Sequence, residues 1–225
     1  MRDPLLRSTR VLEALFHQGD AVCEADADRA FYQEINDRLL GTNRTAAAEC
    51  LFLNAQNKQT VRRIIRPLRE MGIPAAAIVD LDVFRKGNHD DLRDLMQAAF
   101  IPDGLSQGYG QTWGQIEAAF STQQLELKRV GIGALDQPGR ETAESLLSHL
   151  ADYGIFVVPV GELERWLAHL GVSAAKENWL PSIFDRMGND PDSESYLKPG
   201  DDDVWTFVEQ VARWIANPGR KGMPE

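Results

Sequence analysis

Acidic residues close three of the four apolar runs that read as strands. Glu24 ends Ala21–Cys23, Asp80 and Asp82 end Ala75–Val79, and Glu162 and Glu164 follow Ile155–Val160. A single acid at such a point caps a helix or sits in a solvated turn. Three acidic strand ends, two of them acid-x-acid pairs, mean more. The strand C-termini of a parallel sheet share one edge, and ligands bind in the crevice there. Carboxylates gathered at one place repel one another unless cations accompany them. An all-oxygen donor set is what Mg²⁺ or Mn²⁺ prefers. Asp28 lies one helical turn beyond Glu24 and can face the same crevice.

The elements that must position these acids are legible from periodicity. Apolar residues at helical spacing run from Pro4 to Phe16, and Gly19-Asp20 ends that segment. After the first strand, Asp28–Leu40 is amphipathic and stops at Gly41. Glu49–Asn54 reads as a buried strand, Lys58–Met71 as a helix ending at Gly72, and Ala75–Val79 as a second buried strand. Strand, helix, strand, helix, strand with short turns predicts right-handed βαβ units and a parallel sheet. Beyond Phe84 the rhythm becomes helical: His89–Phe100, Gly114–Leu127 and Arg140–Tyr153, with Gly104–Gly110 and Gly131–Gly139 as linkers. This stretch reads as an insertion into the sheet domain. Ile155–Val160 is then a strand, Lys176–Met187 a helix containing Pro181, Gly188–Gly200 a loop, and Asp202–Ala216 a closing helix.

Composition limits the classes open to the chain. Its 225 residues include 43% apolar and 26% charged residues, which permits a core. The net charge of −10 excludes a general basic coat for nucleic acid. Cys23 and Cys50 sit in apolar runs and read as buried free thiols of a reducing compartment. No run is long enough to span a membrane, and residues 1–10 show no signal-peptide pattern, so the expected location is the cytoplasm. No G-x-x-x-x-G-K-[ST] sequence is present, so no ATP site of that type is expected.

Glu24-Ala25-Asp26-Ala27-Asp28 after one strand and Ile78-Val79-Asp80-Leu81-Asp82 after another resemble the TOPRIM pattern of a glutamate followed by DxD. The run Glu24 to Tyr32 is similar to the opening of the TOPRIM region of OLD (overcoming lysogenization defect) family nucleases. The turn carrying Asn57-Lys58 ahead of a helix fits that layout. Gly161-Glu-Leu-Glu164 resembles the family's third acidic motif, and Lys176 sits where class 2 members carry a lysine. Val204-Trp205-Thr206-Phe207 and the tail from Pro218 to Pro224 also look like the end of such proteins. The resemblance covers almost the whole chain. It departs at Ala25, where glycine is usual, and at Asn54–Asn57, where glycines are common.

The resemblance implies an α/β TOPRIM fold with a helical insertion and a helical C-terminal segment. The expected division is a discontinuous catalytic core at 18–85 and 151–180, an insertion at 86–150, a C-terminal segment at 181–225 and an N-terminal helix at 1–17. The implied activity is endonucleolytic hydrolysis of DNA with two divalent cations, Mg²⁺ or Mn²⁺, about 4 Å apart. Asp80 is the expected shared ligand. Glu24, Asp28 and Asp82 complete one shell, and Glu162 and Glu164 serve the other. Lys176 would stabilise the charged phosphate or the leaving oxygen. The family carries an N-terminal ABC-type ATPase, so the chain is expected to be the nuclease part of an ATPase-nuclease, with DNA affinity supplied largely by the ATPase.

Other residues read more simply. Lys58 faces solvent or backbone, with phosphate contact as the alternative. Arg62, Arg66 and Arg69 share a helical face that could track a DNA backbone, although such a stripe is more often solvated. The four histidines are scattered, and the five tryptophans read as core or subunit contacts. Two rival readings stay open. One is a haloacid-dehalogenase-type phosphomonoesterase using Asp80 as nucleophile and Asp82 as acid/base, although two strands precede that motif and Glu24 would go unexplained. The other is a non-catalytic receiver or interaction domain stabilised by a metal.

Overall fold

A computed structural model describes residues 11–84, 89–123, 125–173 and 176–224. Four parallel strands form one sheet: β1 (Gly19–Cys23), β2 (Cys50–Asn54), β3 (Ala75–Asp80) and β4 (Ile155–Val158), in the order β2-β1-β3-β4. The register sets Cys23 beside Asn54 and Ile78, and Asp80 beside Val158. The acid-bearing ends of β1, β3 and β4 therefore share one edge.

Apart from Asp20 and the strand-end Asn54 and Asp80, the strands carry no polar side chains, because both faces of the sheet are covered. Val22, Leu53, Ala77, Val79 and Val157 point into one core. Ala21, Phe52, Ile78, Phe156 and Val158 point into the other. Helix α1 (Asp26–Gly41) packs in the second core through Phe31, Tyr32, Ile35 and Leu39. Helix α2 (Lys58–Glu70) packs in the first through Val61, Ile64, Ile65 and Leu68.

Between β3 and β4 the chain is helical: α3 (His89–Ala98), α4 (Asp103–Thr122), the short α5 (Leu127–Val130) and α6 (Gln137–Asp152). These helices extend the first core. The Trp113 ring stacks on Phe84, and its Nε1 donates to the Phe84 carbonyl at 2.6 Å. Helices α7 (Lys176–Met187) and α8 (Asp203–Ala216) complete the second core. The fold is thus α/β, a parallel sheet flanked by helices with a helical insertion and C-terminal helices. No helix of the described residues is long and apolar enough to cross a membrane.

Several local expectations need correction. Gly104–Gly110 is not a linker, because α4 begins at Asp103. An added Cβ at Gly104, Gly108 or Gly110 would meet nothing within 4 Å, so these glycines cost only helix propensity. Burial of Ser106, Trp113, Ile116 and Phe120 secures the helix. Gly19-Asp20 does not end a helix; it opens β1, where the Asp20 N–H donates to the Pro74 carbonyl at 2.8 Å. Of the expected helix Pro4–Phe16, residues 4–10 lie outside the described residues. The remainder holds one 3₁₀ turn, Glu13–Phe16. Both cysteines are free, but only Cys23 is buried, and Cys50 is partly exposed. All five tryptophans lie in this chain's own core.

Candidate metal centre at the acidic edge of the sheet

Glu24 leaves β1 with its side chain turned toward β3. Its Oε1 accepts the Asp80 backbone N–H at 2.9 Å, which ties the ends of two strands together. Asp80 ends β3, and Asp82 follows in a 3₁₀ turn. Carboxylate oxygens of Glu24, Asp80 and Asp82 lie within 4.8 Å of one another. They line a cavity of about 350 Å³ with Asp28, Lys58, Glu164, Lys176 and Trp179.

Asp28 serves two purposes. Its Oδ2 accepts the Ala25 N–H at 2.9 Å, the one half of a capping box that an alanine at the start of α1 permits. The residue also borders the cavity. Ala25 itself is extended (φ −133°, ψ 172°), so no glycine is needed there. In the next turn Asn54 Oδ1 accepts the Gln56 N–H at 2.7 Å, and Gln56 takes a left-handed φ of 68°. Asn57 then caps α2 by accepting the Thr60 N–H at 3.0 Å. Asparagine side chains therefore do here what glycines would do elsewhere.

Burial dominates the electrostatics, and crowding of negative charge adds to it. Burial, and then the neighbouring Asp80, push Glu24 up to about 8. The same two causes push Asp28 up to about 6. Burial also raises Asp80, against the pull of Lys128. Burial would lower the Lys128 ammonium, but Asp80 and Asp82 outweigh it and hold the group above its ordinary value. Glu164 Oε2 is buried and has no hydrogen-bond partner among the described residues. An oxygen-only donor set, carboxylates that resist ionising together and an unsatisfied buried oxygen fit a divalent cation. The triad of Glu24, Asp80 and Asp82 could hold one.

The other expected residues divide. Glu164 enters the cavity, whereas Glu162 lines an adjoining groove beside Asp82 and Lys128. Lys176 stands at the mouth, 68% exposed, with Nζ 3.5 Å from Glu164 and 4.0 Å from Glu162. Lys58 does not face open solvent: its Nζ lies 3.6 Å from Asp82 Oδ1. Arg62 pairs with Asp91 at 2.7 Å and Asp94 at 3.4 Å, and exposed Arg66 pairs with Glu70 at 2.9 Å. Arg69 cannot track DNA, because it is completely buried and donates to backbone carbonyls.

Sequence reasoning missed Lys128. Its Nζ lies 3.2 Å from Asp80 Oδ2 and 3.6 Å from Asp82 Oδ2. The only local signal is a basic pair, Lys128-Arg129, between apolar residues just before Gly131.

Residues 15–82 match the family described as overcoming lysogenization defect protein-like, TOPRIM domain. No curated protein and no solved structure matches the chain. The matched stretch runs from the turn before β1 to Asp82 and so contains Glu24, Asp28, Asp80 and Asp82. The insertion, β4, Glu162, Glu164 and Lys176 lie beyond it. The acidic edge built by β1 and β3 is thus the edge of an OLD-like TOPRIM domain, over residues 15–82.

Proposed function

We propose that the protein is a metal-dependent DNA endonuclease, the nuclease part of a class 2 OLD-type ATPase-nuclease. The observation that carries this reading is the convergence of Glu24, Asp80 and Asp82 in one cavity with a lysine at its mouth. The division into a core at 18–85 and 151–180, an insertion at 86–150, a C-terminal segment at 181–225 and an N-terminal helix at 1–17 belongs to the same proposal. So do a cytoplasmic location and an N-terminal ABC-type ATPase in the full-length protein.

Two divalent cations, Mg²⁺ or Mn²⁺, would supply Lewis acidity toward a phosphodiester and its attacking water. Glu24, Asp28, Asp80 and Asp82 offer ligands on one side, with Asp80 the shared one. Glu164 and Glu162 offer them on the other. Lys176 carries charge but no lone pair, so its task is to hold the phosphate and offset the charge that develops on it. Leu163, Trp179 and Leu180 give the cavity an apolar wall that limits competing water. Lys58, Arg62 and Arg66 are candidate backbone contacts for DNA, and for the two arginines this requires exchange of their present acidic partners.

Cleavage of supercoiled plasmid with Mg²⁺, Mn²⁺ or EDTA tests this reading. Metal-dependent nicking or linearisation is expected, lost in Asp80→Ala and Lys176→Ala with the fold intact. Hydrolysis of a phosphate monoester without plasmid cleavage would replace it with the phosphatase reading. If an N-terminal ATPase supplies the DNA affinity, a longer protein that carries it binds DNA more tightly than this chain, and equal affinities refute that part.

A further inference from the structure

Lys128 belongs to the insertion but ends in the acidic cavity's charge cluster. Its backbone is fixed there by tight contacts with the loop leaving β4. A Cβ at Gly161 (φ +104°) would collide with the Lys128 carbonyl oxygen, and one at Gly131 (φ +65°) would collide with the backbone of Pro159 and Val160. The Ile132 N–H donates to the Pro159 carbonyl at 2.9 Å. Both glycines supply conformations and space that a side chain would deny. The turn carrying Lys128 is therefore packed directly against the loop leaving β4.

The ammonium touches Oδ2 of both Asp80 and Asp82, two of the three residues of the candidate metal triad. It is the stronger competitor of the three lysines: Lys58 meets Asp82 alone, and Lys176 meets the glutamates after β4. An ammonium and a divalent cation held side by side against one carboxylate repel each other. A cation and this ammonium cannot both sit against Asp80. The Lys128 side chain is 38% exposed, so its flexible stem can swing away while α5 stays in place.

We propose that Lys128 is a tethered counter-cation of the Asp80–Asp82 pair, and that metal loading is an exchange of this ammonium for a divalent cation. The inference rests on the metal-centre reading above. In the unloaded protein Lys128 offsets the repulsion between the two aspartates. On loading it yields that position, so the insertion sets the affinity of the site for metal.

The test is Mn²⁺ binding to the whole chain without DNA, followed by electron paramagnetic resonance and calorimetry. Lys128→Gln is expected to bind Mn²⁺ about tenfold more tightly than the parent protein. Lys128→Arg, which keeps the charge, is expected to stay within about twofold of the parent, and Asp80→Asn to lose the site. Circular dichroism establishes that each variant is folded. Unchanged or weaker binding in Lys128→Gln, with binding lost in Asp80→Asn, overturns the exchange and leaves the metal centre standing. Parent-like binding in Asp80→Asn overturns both.

Discussion

The two ends of the sheet handle buried charge in opposite ways. At the end where β3 and β4 begin, Arg69 is completely buried and meets no carboxylate among the described residues. Its Nε donates to the Ala75 carbonyl at 2.9 Å, its Nη1 to those of Tyr153, Gly222 and Ala99, and its Nη2 to Gly154. The guanidinium also lies over the Trp214 ring. At the end where β1 and β3 finish, buried carboxylates face one another and three lysines. Backbone carbonyls are permanent partners, whereas lysine ammoniums can leave. One end is built to hold a charge in place and the other to exchange one.

The comparison breaks if Arg69 proves dispensable. Arg69→Met leaves five buried carbonyls without this donor and is expected to cost about 4 kcal/mol or more, a drop in melting temperature of about 10 °C. Thermal unfolding followed by circular dichroism measures it. At the other end the sign reverses. Asp80→Asn removes a repelling charge and is expected to raise stability in EDTA by about 1–2 kcal/mol while abolishing plasmid cleavage. Urea unfolding beside the cleavage assay reads both. A destabilised Asp80→Asn would make the acidic edge a structural feature like the arginine.

Titration sharpens the contrast. Glu24, Asp28 and Asp20 all have folded values above their ordinary ones, at about 8, about 6 and about 7. For each, the unfolded chain loses its proton first, so stability is greatest below about pH 4 and declines as pH rises toward the folded value. Metal-free protein should therefore weaken between about pH 4 and pH 8. Mg²⁺ is expected to remove the part due to Glu24 and Asp28 and leave the part due to Asp20. Asp20 lies in β1 with both carboxyl oxygens buried and without a hydrogen-bond partner among the described residues. Moving from 3.8 to about 7 corresponds to about 4 kcal/mol of preference for the neutral acid, and Asp20→Asn should flatten this share. Urea unfolding at pH 5, 7 and 9, with and without Mg²⁺, separates the two groups.

The smallest effect provides a baseline remote from both ends. Gly108→Ala on α4 places a methyl where nothing lies within 4 Å. It is expected to stabilise the protein by up to about 1 kcal/mol without altering metal affinity. Calorimetric melting and Mn²⁺ titration check the two halves of that statement.

Much of this molecule was legible in its residues because local and global signals agreed. Largely apolar strands announced a sheet covered on both faces, and Glu24, Asp80 and Asp82 stood at strand ends where topology makes them neighbours. Lys128 stayed hidden because its role depends on contact between two loops, at Gly131 and Gly161, that no periodicity records. Arg69 shares a helical face with Arg62 and Arg66, so spacing alone could not separate a buried donor from surface charges. Asp20 gave no warning either, because a strand acid flanked by glycine and alanine resembles a turn. Gly104–Gly110 looked like a linker because glycine content outweighed the later apolar residues of the same helix.

The spread of acceptors around Arg69 also constrains biosynthesis. Its last carbonyl belongs to Gly222, 153 residues downstream. At ordinary elongation rates that residue is made about 10–30 s after Arg69. Until then the nascent chain holds an arginine whose burial is incomplete, and the end of the sheet where β3 and β4 begin stays open to water. A released chain truncated before Gly222 should therefore keep its acidic residues together while its arginine end is more sensitive to protease than in the parent protein.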